Sequence, residues 1–379
     1  MNICVLMKNK IFKYDFLVVG GGLIGSLAAL SLYNKKLKVL VIDNKTNIPT
    51  DQRTLAVNPN SRDFLDNLGV WSSIQTKPKS IKKIIIKDYI NSSPLVFTNN
   101  KDSIGNIIYN VDMLKTVRQK LKKFKILKTN ININLDELIP NKIFNIGNKN
   151  YSFKKIIISV GKNIISDLTQ KSIVFDKGDY SYVGFFKHKK EHKSIAYEIF
   201  KKEGPLAVLP APSPNNNKST FIYSTNYATT YPKIQSIIKK NFSLSHGQIF
   251  FEKKIHKFPI TPHLTKYNKN FIYIGDSLKS VHPVAGQGWN LGVKDIQTLN
   301  KVLDQYSLDS KRFNSIFYSR RMMETSLYFG FTSLINFLYE NQNTFNENLV
   351  RLGYRGLQNF SFVRDLFIKQ AMGRFNLVG

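Results

Sequence analysis

The chain has 379 residues, 42% hydrophobic and 21% charged, which suits a folded protein with a large core and excludes a disordered one. Its one cysteine, Cys4, excludes a disulfide framework and a multi-cysteine metal site, and points to a reducing, cytosolic setting. The formal net charge of +31 raises nucleic acid or an anionic membrane as partners, but the lysines are spread along the whole chain and no nucleic-acid-binding motif accompanies them, so no nucleic acid is expected.

No secretory pattern opens the chain, and the apolar run over 16–33 is broken by three consecutive glycines, so no membrane-spanning helix is predicted there. That run, "YDFLVVGGGLIGSLAAL", predicts a strand, a tight turn and a helix. Gly20, Gly22 and Gly25 fit G-x-G-x-x-G in the strand-turn-helix setting the fingerprint needs. The first glycine permits the turn, the second lets the backbone approach a pyrophosphate, and the third lets the helix pack on the sheet. A second strand, "LKVLVID", ends in Asp43 at the distance where an acidic group meets a ribose. Dinucleotide binding follows, without a choice between NAD and FAD.

"SIKKIIIKDY" and "SPLVFT" read as strands, and "DMLKTVRQKLKKF" as a helix. Residues 180–255 hold four further strand-like runs, and "SPNNNKS" at 213–219 reads as a polar loop. His188 and His192, four positions apart and flanked by lysines, read as a solvated surface, and no metal site is expected.

"FIYIGD" predicts a buried strand with Asp276 at its carboxyl end, where ligands of open α/β sheets sit. "GQGWNLGVKDIQTLNKVL" predicts a helix with Leu291, Ile296, Leu299 and Val302 inward, and with Gly286 and Gly288 leaving backbone N–H groups open at its start. Two cofactor contacts so far apart suit a long cofactor with a dinucleotide end and a distant ring end. "SLYFGFTSLINFLYE", 326–340, carries a broad apolar helical face formed by Leu327, Phe329, Phe331, Leu334, Phe337 and Leu338. Core packing and membrane contact both explain that face. The arginines that recur at 312, 320, 321, 351, 355, 364 and 374 favour a surface that also meets anionic lipid.

"HPVAGQGWNLGVKD", 282–295, matches every fixed position of H-P-x-[AG]-G-Q-G-x-N-x-G-x-x-D and resembles the UbiH/COQ6 family of FAD-dependent ubiquinone-biosynthesis hydroxylases. "DQRTLAVNPNSRDFLDNLGVW" and "FKKEGPLAVLPAP" are similar to further motifs of that family, as are the closing helices. The resemblance implies an α/β fold: a Rossmann-type FAD-binding domain (1–78, 99–179 and 256–310) interleaved with a p-hydroxybenzoate hydroxylase-like mixed-sheet substrate domain (79–98 and 180–255), then C-terminal helices (311–379). It implies FAD held at Gly20, Gly22, Gly25, Asp43, Arg53 and Asp276, with Pro283, Gly286, Gln287, Gly288 and Asn290 along the flavin ring.

The implied reaction is hydroxylation of a polyprenylated phenol by NAD(P)H and O2 through a flavin C4a-hydroperoxide, by an enzyme peripheral on the inner face of the membrane and close to other ubiquinone-biosynthesis proteins. No catalytic residue is assigned, although His282 and Pro283 fall near the flavin. Two departures mark this chain. Val160 stands where the family has Asp, which bears on NAD(P)H use. Lys279 follows "GDSL" where the family has His. Both leave open an accessory, non-catalytic FAD-binding protein.

Overall fold

The computed structural model describes residues 10–48, 53–99, 102–164, 172–174, 178–282, 288–341 and 343–374. Pro283, Gly286 and Gln287 lie outside the described residues. A parallel sheet forms the first layer: β1 (Ile11–Val19), β2 (Val39–Asp43), β8 (Leu127–Thr129), β10 (Lys149–Ile158) and β18 (Phe271–Tyr273), in the order β18-β10-β1-β2-β8, with β9 (Ile143–Ile146) antiparallel on β10. Its strands are continuous apolar runs because both faces are covered. Phe16 and Val18 turn to a core built with α1 (Leu23–Asn34), α3 (Asn110–Lys123) and α5 (Gly288–Gln305). Leu17 and Val19 turn to a second core with Tyr151 and Phe153. The chain leaves β1 towards β2 on one side and later adds β10 on the other. The carboxyl ends of β1 and β10 therefore border a crevice at the switch point, where such sheets bind ligands.

The second layer is a seven-stranded mixed sheet in the order β16-β12-β15-β14-β13-β5-β6. Its strands are β5 (Lys83–Asp88), β6 (Leu95–Thr98), β12 (Tyr180–His188), β13 (Ile195–Phe200), β14 (Leu206–Pro210), β15 (Lys218–Thr225) and β16 (Ile249–Pro259). One face, with Tyr197, Ile199, Leu206, Val208, Phe221 and Tyr223, packs on α4 (Tyr231–His246). Pro232 in the first turn starts α4, and Gly247, at φ +71°, ends it. The other face meets the first layer through a small sheet of β3 (Thr54–Val57), β7 (Gly105–Tyr109) and β4 (Lys79–Ile81). A third small sheet joins β11 (Ser172–Val174), β17 (His263–Thr265) and β19 (Lys279–Ser280).

The remaining helices are α2 (Pro59–Asn67), α6 (Phe313–Glu340), α7 (Thr344–Asn359) and α8 (Ser361–Ala371). The end of α6 lies on the second sheet, where Tyr339 stacks on Phe200 at 4.5 Å. Met323, Leu327, Phe331, Leu334 and Phe337 form an exposed apolar stripe along α6. Among the described residues no helix is long and apolar enough to cross a membrane.

One expectation is corrected here. His188 and His192 are each 2% exposed, not solvated, and they cluster with His246 of α4. The flanking lysines mislead because strand alternation sends Lys187 outward and His188 inward. Backbone bonds from His188 and His192 to Asn217 and Asn216 close the loop over both rings.

Candidate functional site

The three fingerprint glycines do different work. A Cβ on Gly20, at φ +102°, would lie 2.3 Å from the Ser159 carbonyl oxygen, and one on Gly25 would lie 2.1 Å from the Gly20 carbonyl oxygen. These two are needed for the turn and for helix-sheet packing. A Cβ on Gly22 would meet nothing within 4 Å. Gly22 is also the N-cap of α1, with no side-chain cap and no acidic residue in the first turn, so the helix N-terminus stands open to an anion. A cradle of backbone N–H groups beside empty space fits a pyrophosphate.

Asp43 closes one side of this cradle. Its Oδ1 accepts the Lys45 N–H at 2.8 Å, and its Oδ2 accepts from Arg118, a residue of α3. Arg118 also donates from Nε to the Gly21 carbonyl at 2.9 Å. The buried guanidinium thus ties the glycine turn to the acidic strand end. A carboxylate offers about four lone-pair directions, so Asp43 retains capacity for a ribose hydroxyl. Arg53, at the start of β3, is exposed and lies over the Phe258 ring at 5.2 Å, between the two layers.

Asp276 lies in the short helical turn Gly275–Ser277 and is exposed beside Lys162. Burial pulls the Lys162 ammonium down, and Asp276 opposes that shift. His263 Nε2 lies 2.9 Å from the Asp276 carbonyl oxygen and holds the turn from below. Val160 donates its N–H to Ser277 Oγ at 2.9 Å, so its backbone anchors the same turn while its side chain packs in the apolar layer.

Lys279 does not face the crevice. It is buried and pairs with Asp295, the last residue of the 282–295 motif. Asp295 accepts the Gly275 N–H at 2.8 Å and the Arg321 Nε–H at 2.7 Å. Arg321 continues to Glu324, which also pairs with Lys294. Five charged side chains from β19, α5 and α6 thereby fix the backbone next to Asp276. Burial pulls Lys279 down to about 8 against the pull of Asp295. Burial also acts to lower Arg321, but Asp295 and Glu324 outweigh it and raise it. Arg321 is 0% exposed, which removes it from the arginines assigned above to a lipid-facing surface.

Asn290 is buried, and its amide is committed: Oδ1 accepts the Asn58 N–H at 3.1 Å and Nδ2 donates to the Ala56 carbonyl at 2.8 Å. It clamps α5 to the end of β3. At Gly288, the first residue of α5, a Cβ would meet nothing within 4 Å. His282 is buried, with Nε2 3.9 Å from Asp179 Oδ2. Both line a cavity of about 250 Å³ with Lys202, Glu203, Ser224 and Glu340. The cavity joins the second sheet, the start of the 282–295 motif and the end of α6.

Comparison with known proteins agrees with this geometry. Residues 13–124 match the FAD binding domain family. The chain is 23% identical to the mitochondrial ubiquinone biosynthesis monooxygenase COQ6 of Dictyostelium discoideum, over 96% of this chain and 92% of the relative. It is 23% identical to the ubiquinone hydroxylase UbiL of Rhodospirillum rubrum, over 96% and 90%. Over nearly its whole length the chain is thus similar to the FAD-dependent monooxygenases of ubiquinone biosynthesis. Its fold matches p-nitrophenol 4-monooxygenase PnpA from Pseudomonas putida with a TM-score of 0.74 at 12% identity, covering 97% of this chain and 100% of that one. It matches the flavin-dependent brominase Bmp2 with a TM-score of 0.72 at 12% identity, over 95% and 94%. This flavoprotein therefore has the p-hydroxybenzoate hydroxylase-type architecture. Arg118, Lys162, His263 and Asp179 escaped the sequence reading because each is recruited to the site from a different part of the chain.

Proposed function

We propose that this flavoprotein hydroxylates the aromatic ring of a polyprenylated phenol, with O2 as oxygen source and NAD(P)H as reductant. The observation that carries the reading is the cavity where His282 and Asp179 meet the second sheet and the end of α6. Its polar lining suits an oxygenated ring, not a prenyl tail. The tail has a separate route: the exposed stripe of Leu327, Phe331, Leu334 and Phe337 runs along the helix whose last residue, Glu340, lines the cavity.

In this reading Gly20, Gly22 and Gly25 hold the FAD pyrophosphate and Asp43 the adenosine ribose. Arg53 and Asp276 flank the middle of the cofactor, while Pro283, Gly286, Gln287 and Gly288 follow the ring, with Asn290 setting the angle of α5. Bound FAD supplies the oxygen-activating chemistry, and the protein orients the phenol and excludes water. His282 and Asp179 are placed to accept and hold the phenolic proton. The interleaved domain division given above belongs to the same reading.

The stripe on α6, with exposed Arg351 and Arg355 on α7, makes the enzyme peripheral on an anionic bilayer, near other proteins of the pathway. The test is FAD-loaded protein incubated with a prenylated phenol, NAD(P)H and O2, and mass spectrometry of the product. Gain of one oxygen on the ring is expected. Pyridine nucleotide oxidation with no oxygenated product, or no flavin reduction at all, would overturn the reading in favour of an accessory flavoprotein. Sedimentation with anionic and neutral vesicles tests the membrane part. Arg351→Gln with Arg355→Gln should weaken anionic binding by about 1 kcal/mol per charge.

A further inference from the structure

Glu198 lies near the centre of the second sheet, on the face turned away from α4. Its neighbours on β13 show which face that is. Tyr197 and Ile199 pack against α4, whereas Ala196 packs with Ile81, Ile107 and Met372, and Phe200 stacks on Tyr339. Across the sheet Glu198 pairs with Ala207 on β14 and Ile86 on β5, so hydrocarbon flanks it on both sides. Its side chain nevertheless keeps accessible surface, although α6, α7 and the small sheet of β3, β7 and β4 pack on this face. The next row of the same face includes Pro205 and Ser224, which line the cavity holding His282. Glu198 is one row deeper, about 7 Å along the strand.

We propose that Glu198 is a substrate-binding residue whose carboxyl group donates a hydrogen bond to an oxygen substituent of the aromatic ring. The inference rests on the hydroxylase reading above. Burial alone raises the Glu198 carboxyl to about 8, with no hydrogen bond or charge contributing to the shift. At neutral pH the group is therefore mostly protonated, and a protonated carboxyl is a donor. The ionisable groups placed on this face are Asp88, with Tyr339 and Tyr354 that pack on β5, and Asp179, Lys202, Glu203, His282 and Glu340 around the cavity. Asp88 is already held by Asn91 and Tyr339. A lone acid among alkyl groups costs stability in the free protein, and a ligand oxygen at the cavity's inner end offsets that cost.

The experiment compares wild type, Glu198→Gln and Glu198→Leu as FAD-loaded proteins. Binding of a short-tailed prenylphenol is read from the flavin absorption spectrum between neutral and alkaline pH. Wild-type affinity should fall as pH rises through about 8. Gln, also a neutral donor, should bind comparably at neutral pH and lose that fall. Leu should bind about tenfold more weakly at neutral pH with FAD content unchanged, the loss of one hydrogen bond. Infrared difference spectra should show a protonated carboxyl band in wild type at neutral pH that is absent from Gln. Leu binding as tightly as wild type, Gln as weakly as Leu, or an ionised Glu198 at neutral pH would each overturn the role while leaving the hydroxylase reading intact. Failure of wild type to bind any prenylphenol would overturn both.

Discussion

The molecule buries two clusters of ionisable side chains, and it solves the problem differently in each. Beside the turn of Asp276, Lys279, Lys294, Asp295, Arg321 and Glu324 form ion pairs with one another. Behind the second sheet, His188, His192 and His246 pack ring against ring. Burial lowers all three, His192 and His246 to about 4, so they are neutral near pH 7. Pairing suits a place where position matters, because Asp295 also holds the Gly275 N–H. Neutrality suits a place where rings pack and their nitrogens meet neutral partners, as His188 meets Ser219 and His192 accepts the Ser194 N–H. The first cluster should therefore fail when one partner is removed, the second when the medium becomes acidic.

The largest effect is expected from Asp295→Leu. It leaves Lys279 buried without its paired carboxylate and Arg321 with Glu324 alone, at a cost of about 3–5 kcal/mol, and it releases the turn that carries Asp276. Denaturant unfolding and FAD content should both fall. A stability loss below about 1 kcal/mol would show the network to be incidental. Next comes pH. The unfolded histidines titrate near 6.5 while His192 and His246 wait until about 4, so the unfolded state binds more protons across that window. Stability is full above about pH 7 and declines as pH falls towards 4, by up to about 3 kcal/mol for each of these two rings. His246→Phe should flatten the decline. Glu324 is pulled below its ordinary value, because Arg321 and Lys294 outweigh its burial, so the charged network should outlast the imidazoles on acidification.

Gly22→Val sharpens the comparison by separating cofactor loss from fold loss. The added side chain enters open space, so stability should change by less than about 1 kcal/mol while FAD is excluded. A colourless but folded variant is the expected result, and a yellow one would move the pyrophosphate elsewhere. The smallest effects come from the two departures. Lys279→His should retain FAD, since an imidazole can also donate to Asp295. Val160→Asp should accelerate flavin reduction by NADH in stopped-flow measurements. Unchanged reduction would show that the valine is silent.

What could be read from the sequence was backbone geometry. Gly20 and Gly25 are legible because the turn and the helix packing tolerate little else there, Gly22 because it completes their spacing, and the apolar runs of β1 and β2 because both faces of the sheet are covered. The run "FIYIGD" placed the turn at Asp276, and "GQGWNLGVKDIQTLNKVL" placed α5. Side-chain partnerships were not legible. Arg118 meets Gly21 across 97 positions, and Arg321 looks like its half-buried neighbour Arg320 until the helix faces are known. His188 hid behind lysines. Glu198, in the alternating run "IAYEIF", reads as the exposed polar residue of a half-buried strand, and only a covered second face changes that reading.

The order in which the chain is made sets a constraint of its own. The early strand β5 finds its neighbour in β13, more than a hundred residues later, in parallel register. It is then covered from α7, where Tyr354 donates to the Ile86 carbonyl, while Met372 packs with Ile81 and Ile107 of the neighbouring small sheet. During synthesis the β5–β6 hairpin must wait with one edge of β5 open until β13 appears, and with its face uncovered until α7 follows. Such long-range closure is slow and leaves adhesive strands exposed meanwhile. The nascent protein should therefore lean on a holding chaperone, and a ribosome stalled within α7 should display β5 and β6 to a protease that the finished molecule resists.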